Sequence, residues 1–204
     1  VTVLTLGTGE AEEQLRYAVS VGATHGVLVD VGDNTWDPQR TAAAIADAIR
    51  EIESANGSDG GAAAFDLILF GNESADSGGY QVGVRVARAL ERPIVSGIKD
   101  IEVEGDELVA KREIPSGFEV YRLDLPAVLA VREGLNLPRY PTLPGRLKSR
   151  KADVMALDVN PVVGGQRKVG FESPPEQESH TVMLGEGAAA VPAIVEVLET
   201  LGIS

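Results

Sequence analysis

Phe65-Asp66-Leu67-Ile68-Leu69-Phe70-Gly71-Asn72-Glu73-Ser74-Ala75-Asp76-Ser77-Gly78-Gly79-Tyr80-Gln81-Val82-Gly83 is the stretch that decides the fold. Its first part, Asp66–Phe70, is a short and nearly unbroken apolar run closed by Gly71, which predicts a strand buried on both faces. Its last part runs into Val82, Val86, Ala87 and Leu90, an apolar set at helical spacing. Between them lies a loop of glycines and small polar residues. Strand, glycine-rich loop and helix in that order make one unit of an open α/β sheet, and ligands in such sheets settle beyond the carboxyl ends of the strands. Free backbone N–H groups at a helix start, beside glycines that let the chain come close, suit a phosphate. A plain strand–helix connection is the other reading of the same spacing.

The rhythm repeats on the N-terminal side. Val1–Leu6 is rich in β-branched residues and ends at Gly7-Thr8-Gly9; Leu15, Ala18, Val19 and Gly22 then recur with a helical period. Gly26–Val31 reads as a second buried strand. Asp37-Pro38 opens a helix with proline in its first turn, carrying Ala42, Ile45, Ala46, Ile49 and Ile52 on one face, and a flexible stretch follows from Asn56 to Ala64. Pro93–Val95 begins a fourth strand. Strands alternating with amphipathic helices predict a parallel sheet covered on both faces. Beyond it the pattern changes. Ile101–Val103 and Leu108–Ile114 flank the turn signal Gly105-Asp106, and Phe118–Leu125 follows Pro115-Ser116-Gly117, which predicts antiparallel strands beside the parallel sheet. Ala127–Val131 is one more buried strand. Asn136 to Gly145 holds three prolines. Residues 158–180 lack periodicity and contain Pro161, Pro174 and Pro175. That length without structure is unusual inside a compact domain and reads as an arm laid on another surface. A closing helix, about Gly187 to Leu201, would be kinked by Pro192. Two parts are expected: an α/β domain over 1–157, and an arm with a helix over 158–204.

Composition narrows the function. Hydrophobic residues make up 44%, enough for a core, and aromatics only 4%, so Ala, Val, Ile and Leu must build it. A net charge of −13 argues against nucleic acid and anionic membrane surfaces as partners. The absence of cysteine removes disulfides, thiolate metal sites and thiol nucleophiles. His25 and His180 stand far apart, with no metal partner at helical spacing. No apolar run approaches the ~20 residues of a membrane span, and Val1–Leu6 reads as a strand rather than a secretory signal. A cytoplasmic protein is expected. Neither a nucleophile elbow nor a phosphate-binding lysine loop is present, so the chain carries no catalytic constellation of its own.

Three segments are candidate binding sites. The loop Gly71, Asn72, Glu73, Ser74, Ala75, Asp76, Ser77, Gly78, Gly79, Tyr80, Gln81 and Val82 would hold a nucleotide. Leu6 and Gly7, with Thr8, Gly9 and Glu10, would form a second wall of the same cleft. Glu10, Glu12 and Glu13 would repel phosphate there, so this wall would touch a base or a sugar, unless those carboxylates only stabilise a helix start. The third segment is Leu135-Asn136-Leu137-Pro138-Arg139-Tyr140-Pro141-Thr142-Leu143-Pro144-Gly145. Its prolines lower the entropy lost when the loop is held against a partner, and Leu143 on so stiff a loop would anchor in a partner's pocket or pack back on its own domain. The basic run Arg146, Lys148, Arg150 and Lys151 would steer an acidic partner or simply solvate a helix end.

Together these segments resemble one family. Phe65–Gly71 with Asp76 and Gln81-Val82-Gly83 looks like the nucleotide loop of electron transfer flavoprotein β subunits. Lys111-Arg112-Glu113-Ile114, Gly117, Glu119 and Leu125-Pro126-Ala127-Val128-Leu129-Ala130 resemble its signature. Leu135-Asn136, Pro138-Arg139-Tyr140 and Thr142-Leu143-Pro144 resemble its partner-recognition loop, followed by a lysine-rich helix at Lys148 and Lys151. Pro174-Pro175 resembles a double proline of its C-terminal arm. The resemblance implies a Rossmann-like α/β sheet of the adenine nucleotide α-hydrolase-like kind, with added antiparallel strands and an extended C-terminal arm plus helix. It implies a heterodimer with an α subunit that mainly holds the FAD, and AMP, or a second FAD in the electron-bifurcating branch, bound by this chain. The segment Arg139, Tyr140, Pro141, Thr142, Leu143, Pro144 with Lys148 and Lys151 would meet acyl-CoA or related dehydrogenases, whose electrons pass on to the respiratory chain. Family members usually carry ~50 residues ahead of the strand matched by Val1–Leu6, about one βα unit, so a central strand is expected to be missing from this sequence. A stand-alone adenine-nucleotide module of the stress-protein kind is the rival reading.

Overall fold

The computed structural model describes residues 1–32, 36–58, 65–105, 107–158, 165–166, 169–175 and 180–203. They fall into two compact units, Val1–Lys168 and Val169–Ser204. The first unit runs β1 (Thr2–Gly7), α1 (Glu12–Ser20), β2 (His25–Asp30), α2 (Pro38–Ser58), β3 (Leu67–Gly71), α3 (Val82–Ala89), β4 (Ile94–Glu104), β5 (Glu107–Ile114), β6 (Gly117–Asp124), β7 (Ala127–Val131), α4 (Leu143–Arg150) and β8 (Val154–Asp158).

The one parallel sheet expected from the alternation is two sheets. One is all parallel, in the order β1-β2-β8; the other runs β3-β7-β4-β5-β6, parallel as far as β4 and antiparallel from there to β6. Alternation of apolar runs says which segments are strands but not which are neighbours. Helix α2 serves both sheets. Ala44, Ala48 and Ile52 pack with Val27, Val29 and Leu157 of the first. Ala42, Ile45, Ala46 and Ile49 pack with Val86 of α3 and with Ile68 and Phe70 of β3. Its start is fixed as Asp37-Pro38 predicts: the Arg40 N–H donates to the Asp37 carboxylate at 2.8 Å, capping the first turn.

Three further departures have local causes. The strands expected at Pro93–Val95 and Ile101–Val103 are one strand, β4. Gly97, at φ 76°, carries it through a bulge so that it leaves the parallel ladder and enters the hairpin without a break. Strand β8 was not expected. It pairs with β2 at a sheet edge and buries only Leu157, so its apolar signal is weak. The prolines of Asn136 to Gly145 do not leave that whole segment as a loop, because its last residues are the first turn of α4. The turn residue Asp106 and much of the expected arm, including Pro161, lie outside the described residues.

In the second unit, Gly187–Ala190 forms a 3-10 turn leading into α5 (Val191–Thr200). Pro192 sits in the first turn of α5, where its missing N–H has no helical partner to lose, so it starts the helix and does not kink it. Val191, Ile194, Val195, Val197, Leu198 and Leu201 are exposed. Among the described residues no helix is long and apolar enough to cross a membrane, and no cluster of metal-ligating side chains occurs.

Candidate functional site

A cavity of about 220 Å³ opens beyond the carboxyl ends of β3 and β7 and beside Ser96 in the parallel part of β4, at the start of α3. The loop Gly71, Asn72, Glu73, Ser74, Ser77, Gly79, Tyr80, Gln81 and Val82 lines it, together with Pro38, Phe70, Gly83, Val84, Ser96 and Ala130. The strands dictate this position. β3 and β7 are parallel neighbours, as are β7 and the first part of β4, so the ends of β3 and β7 and the bulge of β4 lie side by side. Gly83 lets α3 sit directly on the strand end, since a Cβ there would lie 3.2 Å from the Phe70 ring.

The loop holds itself in shape. The Gly78 N–H donates to the Ser74 carbonyl at 2.7 Å. The Ser74 hydroxyl donates to Asp76, and the Ser77 hydroxyl to Ser74. Gly78 at φ 54° and Tyr80 at φ 51° turn the chain towards α3. A left-handed tyrosine is uncommon, and strained backbone of this kind concentrates at ligand sites. The Tyr80 ring stands 55% exposed on the cavity. Its hydroxyl donates to Glu73, and that bond raises its pKa above the usual 10.0. Among the described residues Glu73 is the one charged side chain lining the cavity.

Donors for an anion come from the backbone. Gln81, the residue ahead of α3, makes no side-chain cap, and its amide oxygen accepts from Arg85 instead, at 3.0 Å. The N–H groups of Val82, Gly83 and Val84 are therefore without intrahelical partners at the mouth of the cavity. The opposite wall is braced from behind. Asn72 Oδ1 accepts from the Gly97 N–H at 2.8 Å, which ties the end of β3 to the bulge of β4. Arg112 reaches the Ser96 carbonyl at 3.4 Å, and its Nε donates to Glu119 at 2.7 Å. Its guanidinium lies 5.0 Å from the centre of the Tyr121 ring.

The candidate residues divide accordingly. Ala75, Asp76 and Gly78 shape the loop without lining the cavity, and Leu6 and Gly7 do not line it either. Leu6 packs into the core around α2. Phe70 and Gly83, part of the segment that resembles the nucleotide loop, do line it, whereas Val84, Ser96, Ala130 and Pro38 were not expected. Ser96 had a signal in the glycine that follows it inside a strand, a mark of bulges; Pro38 and Ala130 had none, because nothing local says what they face.

The proline-rich segment forms a second candidate surface. Thr142 caps α4, with its Oγ1 accepting from the Gly145 N–H at 3.2 Å, and Pro144 lies in the first turn. Leu143 does not pack back on the domain: it is 73% exposed at the first helical position. Tyr140 and Leu147 are exposed as well. Arg139, Pro141, Lys148 and Lys151 belong to the same segment, the two lysines in the last turn of α4 and just beyond it.

The model of the electron transfer flavoprotein domain matches residues 1–162. The chain is 29% identical over 209 residues to the electron transfer flavoprotein subunit beta of Bacillus subtilis, covering 98% of this chain and 77% of that one. It is 30% identical to the corresponding subunit of Thermoanaerobacterium thermosaccharolyticum, with the same coverage. Over 149 residues it is 31% identical to subunit CarD of the caffeyl-CoA reductase-Etf complex of Acetobacterium woodii, covering 52% of that protein.

Proposed function

The chain belongs to the electron transfer flavoprotein family, and on that premise we propose that it acts as the β-type subunit of a two-chain flavin electron carrier in the cytoplasm, with AMP in the cavity beyond β3. A flavin held mainly by the α subunit supplies the redox chemistry. This chain contributes position. The observation that carries the AMP reading is the convergence, in one cavity, of a glycine-rich loop, the first-turn N–H groups of α3, which have no intrahelical partner, and the exposed ring of Tyr80. The N–H groups suit a phosphate, and the ring offers a flat apolar face to a base. Glu73 would oppose an anion, but its carboxylate is engaged by the Tyr80 hydroxyl. A volume of about 220 Å³ falls below the ~300–1,000 Å³ of pockets that enclose whole ligands of drug size. That favours a mononucleotide over a second FAD.

The exposed apolar side of α5 is the natural seat of the α subunit, because an isolated amphipathic helix gains its stability from what covers that side. Leu143, beside the exposed Tyr140, Leu147 and the basic residues of α4, would dock an acyl-CoA or related dehydrogenase, whose electrons would pass on to the respiratory chain. The test is to purify the chain with its α subunit, denature the complex and count what is released. One flavin and one AMP per heterodimer are expected. Two flavins and no AMP would replace AMP by a second FAD. A colourless monomer that forms no complex with the α subunit would overturn the carrier reading.

A further inference from the structure

We propose that Arg16 is the positioning residue of the docking helix α4; the inference rests on the reading of α4 as the dehydrogenase contact. Arg16 lies on α1, 127 positions ahead of Leu143. Its Nη1 nevertheless approaches three carbonyl oxygens at the end of α4: Ala152 at 2.8 Å, Ser149 at 3.3 Å and Arg150 at 3.4 Å. The Ser149 carbonyl also accepts from the Ala152 N–H at 3.1 Å; the last carbonyls of a helix lack the usual i+4 donors, and a guanidinium satisfies them while its charge opposes the negative end of the helix dipole. Glu12, one turn earlier on α1, accepts from Arg16 Nε at 3.1 Å and holds the guanidinium in that direction. The other end of α4 is fixed against the same helix. A Cβ on Gly145 would lie 2.3 Å from the Ser20 carbonyl oxygen, so the two backbones touch there and only glycine fits. Arg139 rests against the turn after α1, its Nη1 3.8 Å from where a Cβ of Gly22 would stand.

Helix α4 is short and largely exposed, and such a helix has little stability of its own. Two attachments to α1, one at each end, therefore decide where Leu143 and Leu147 stand. Arg16 touches no partner in this scheme. It sets the direction in which the exposed leucines face, and its loss would swing them without removing them.

The experiment uses the heterodimer with the substitutions Arg16→Gln, Arg16→Lys, Leu143→Ala and the double variant Arg16→Gln/Leu143→Ala. Two readouts are taken: amide hydrogen exchange over residues 143–152, and flavin reduction by an acyl-CoA dehydrogenase charged with its acyl-CoA. Arg16→Gln is expected to speed exchange in α4 by about ten-fold or more, with the amides of β2 and β7 unchanged. It is expected to raise KM for the dehydrogenase on the order of five-fold while the limiting rate and the flavin content hold. Arg16→Lys, which keeps the charge but lacks the planar fork, should fall between. In the Arg16→Gln background, Leu143→Ala should add less than about two-fold, because a misdirected leucine has little left to lose. Unchanged exchange in α4, or strictly additive effects of Arg16→Gln and Leu143→Ala, overturns the proposal. If Leu143→Ala alone leaves KM untouched, the docking reading of α4 fails instead, and the exchange data still decide whether Arg16 anchors the helix.

Discussion

Helices α2 and α5 carry the same kind of sequence and meet opposite ends. Both are amphipathic and rich in small aliphatic residues. Helix α2 buries Ala42, Ala44, Ile45, Ala46, Ala48, Ile49 and Ile52 between two sheets. Helix α5 buries none of its residues, and Val191, Ile194, Val195, Val197 and Leu198 stay exposed. The polar fixings differ in the same sense. Asp37 caps α2, whereas Ala190, at the start of α5, offers no side-chain cap. A helix that supplies its own cap and core belongs to the fold. One that has an apolar side and neither depends on whatever covers that side.

The largest effect that would break this comparison comes from placing one charge in each helix. Ala48 is fully buried against the first sheet. Ala48→Glu would bury an unpaired carboxylate and cost on the order of 4 kcal/mol or more. The expected outcome is a large fall in the urea midpoint, or a chain that does not fold. Val195→Asp on α5 is expected to shift the midpoint of the free chain by less than ~0.5 kcal/mol, yet to abolish co-purification with the α subunit. A strong loss of stability in Val195→Asp would mean that α5 already has its cover, and the contrast would be gone.

A smaller effect sharpens the contrast at the far end of α2. Glu53 and Arg92 form an ion pair at 2.7 Å, with side chains only 15% and 9% exposed. Glu53 also accepts from the Phe65 N–H at 3.0 Å, and Arg92 donates to the Phe65 carbonyl at 3.1 Å. The pair thus fixes the chain just ahead of β3, at the end of that strand opposite the cavity. Removing one partner leaves a nearly buried charge with only a carbonyl for company, so Glu53→Ala is expected to cost about 3 kcal/mol in urea unfolding. A cost below ~1 kcal/mol would show that water already reaches the pair and that the chain ahead of β3 is held by its apolar contacts alone.

The parts of the fold legible in the sequence were those set by local chemistry. Strong apolar runs gave β2, β3 and β7. Asp37-Pro38 gave the start of α2, and the glycine-rich loop gave most of the cavity floor. What escaped was decided by partners remote in the chain. Nothing near Val1–Leu6 says that β1 and β3 end separate sheets. Strand β8, with only Leu157 buried, is too faint to read. Ser96 lines the cavity where Asn72, just after β3, and Arg112 of β5 hold the Ser96–Gly97 bulge from remote parts of the chain. Arg16 reads as one more charge on the exposed side of a helix until α4 is brought to it. For the same reason the sequence could propose Leu143 as an anchor but not decide whether it faced inward or outward.

The smallest effect lies at the cap of α2 and depends on pH. The Asp37 carboxyl is held below its usual 3.8, chiefly by the hydrogen bond from the Arg40 N–H and further by the Gln166 N–H, with burial working the other way. A carboxyl whose folded pKa lies below its unfolded value stabilises the fold at every pH above that unfolded value, and the contribution fades as the pH falls through the folded value. Asp37→Ala should therefore destabilise the chain by about 1 kcal/mol near neutral pH. The gap between wild type and variant should stay constant down to about pH 4, then shrink as acid protonates the native cap. Urea midpoints across pH 3 to 7 check this. A gap that does not narrow in acid would mean that the aspartate acts by shape alone; α2 and α5 would then be separated by the core that α2 buries and not by its cap.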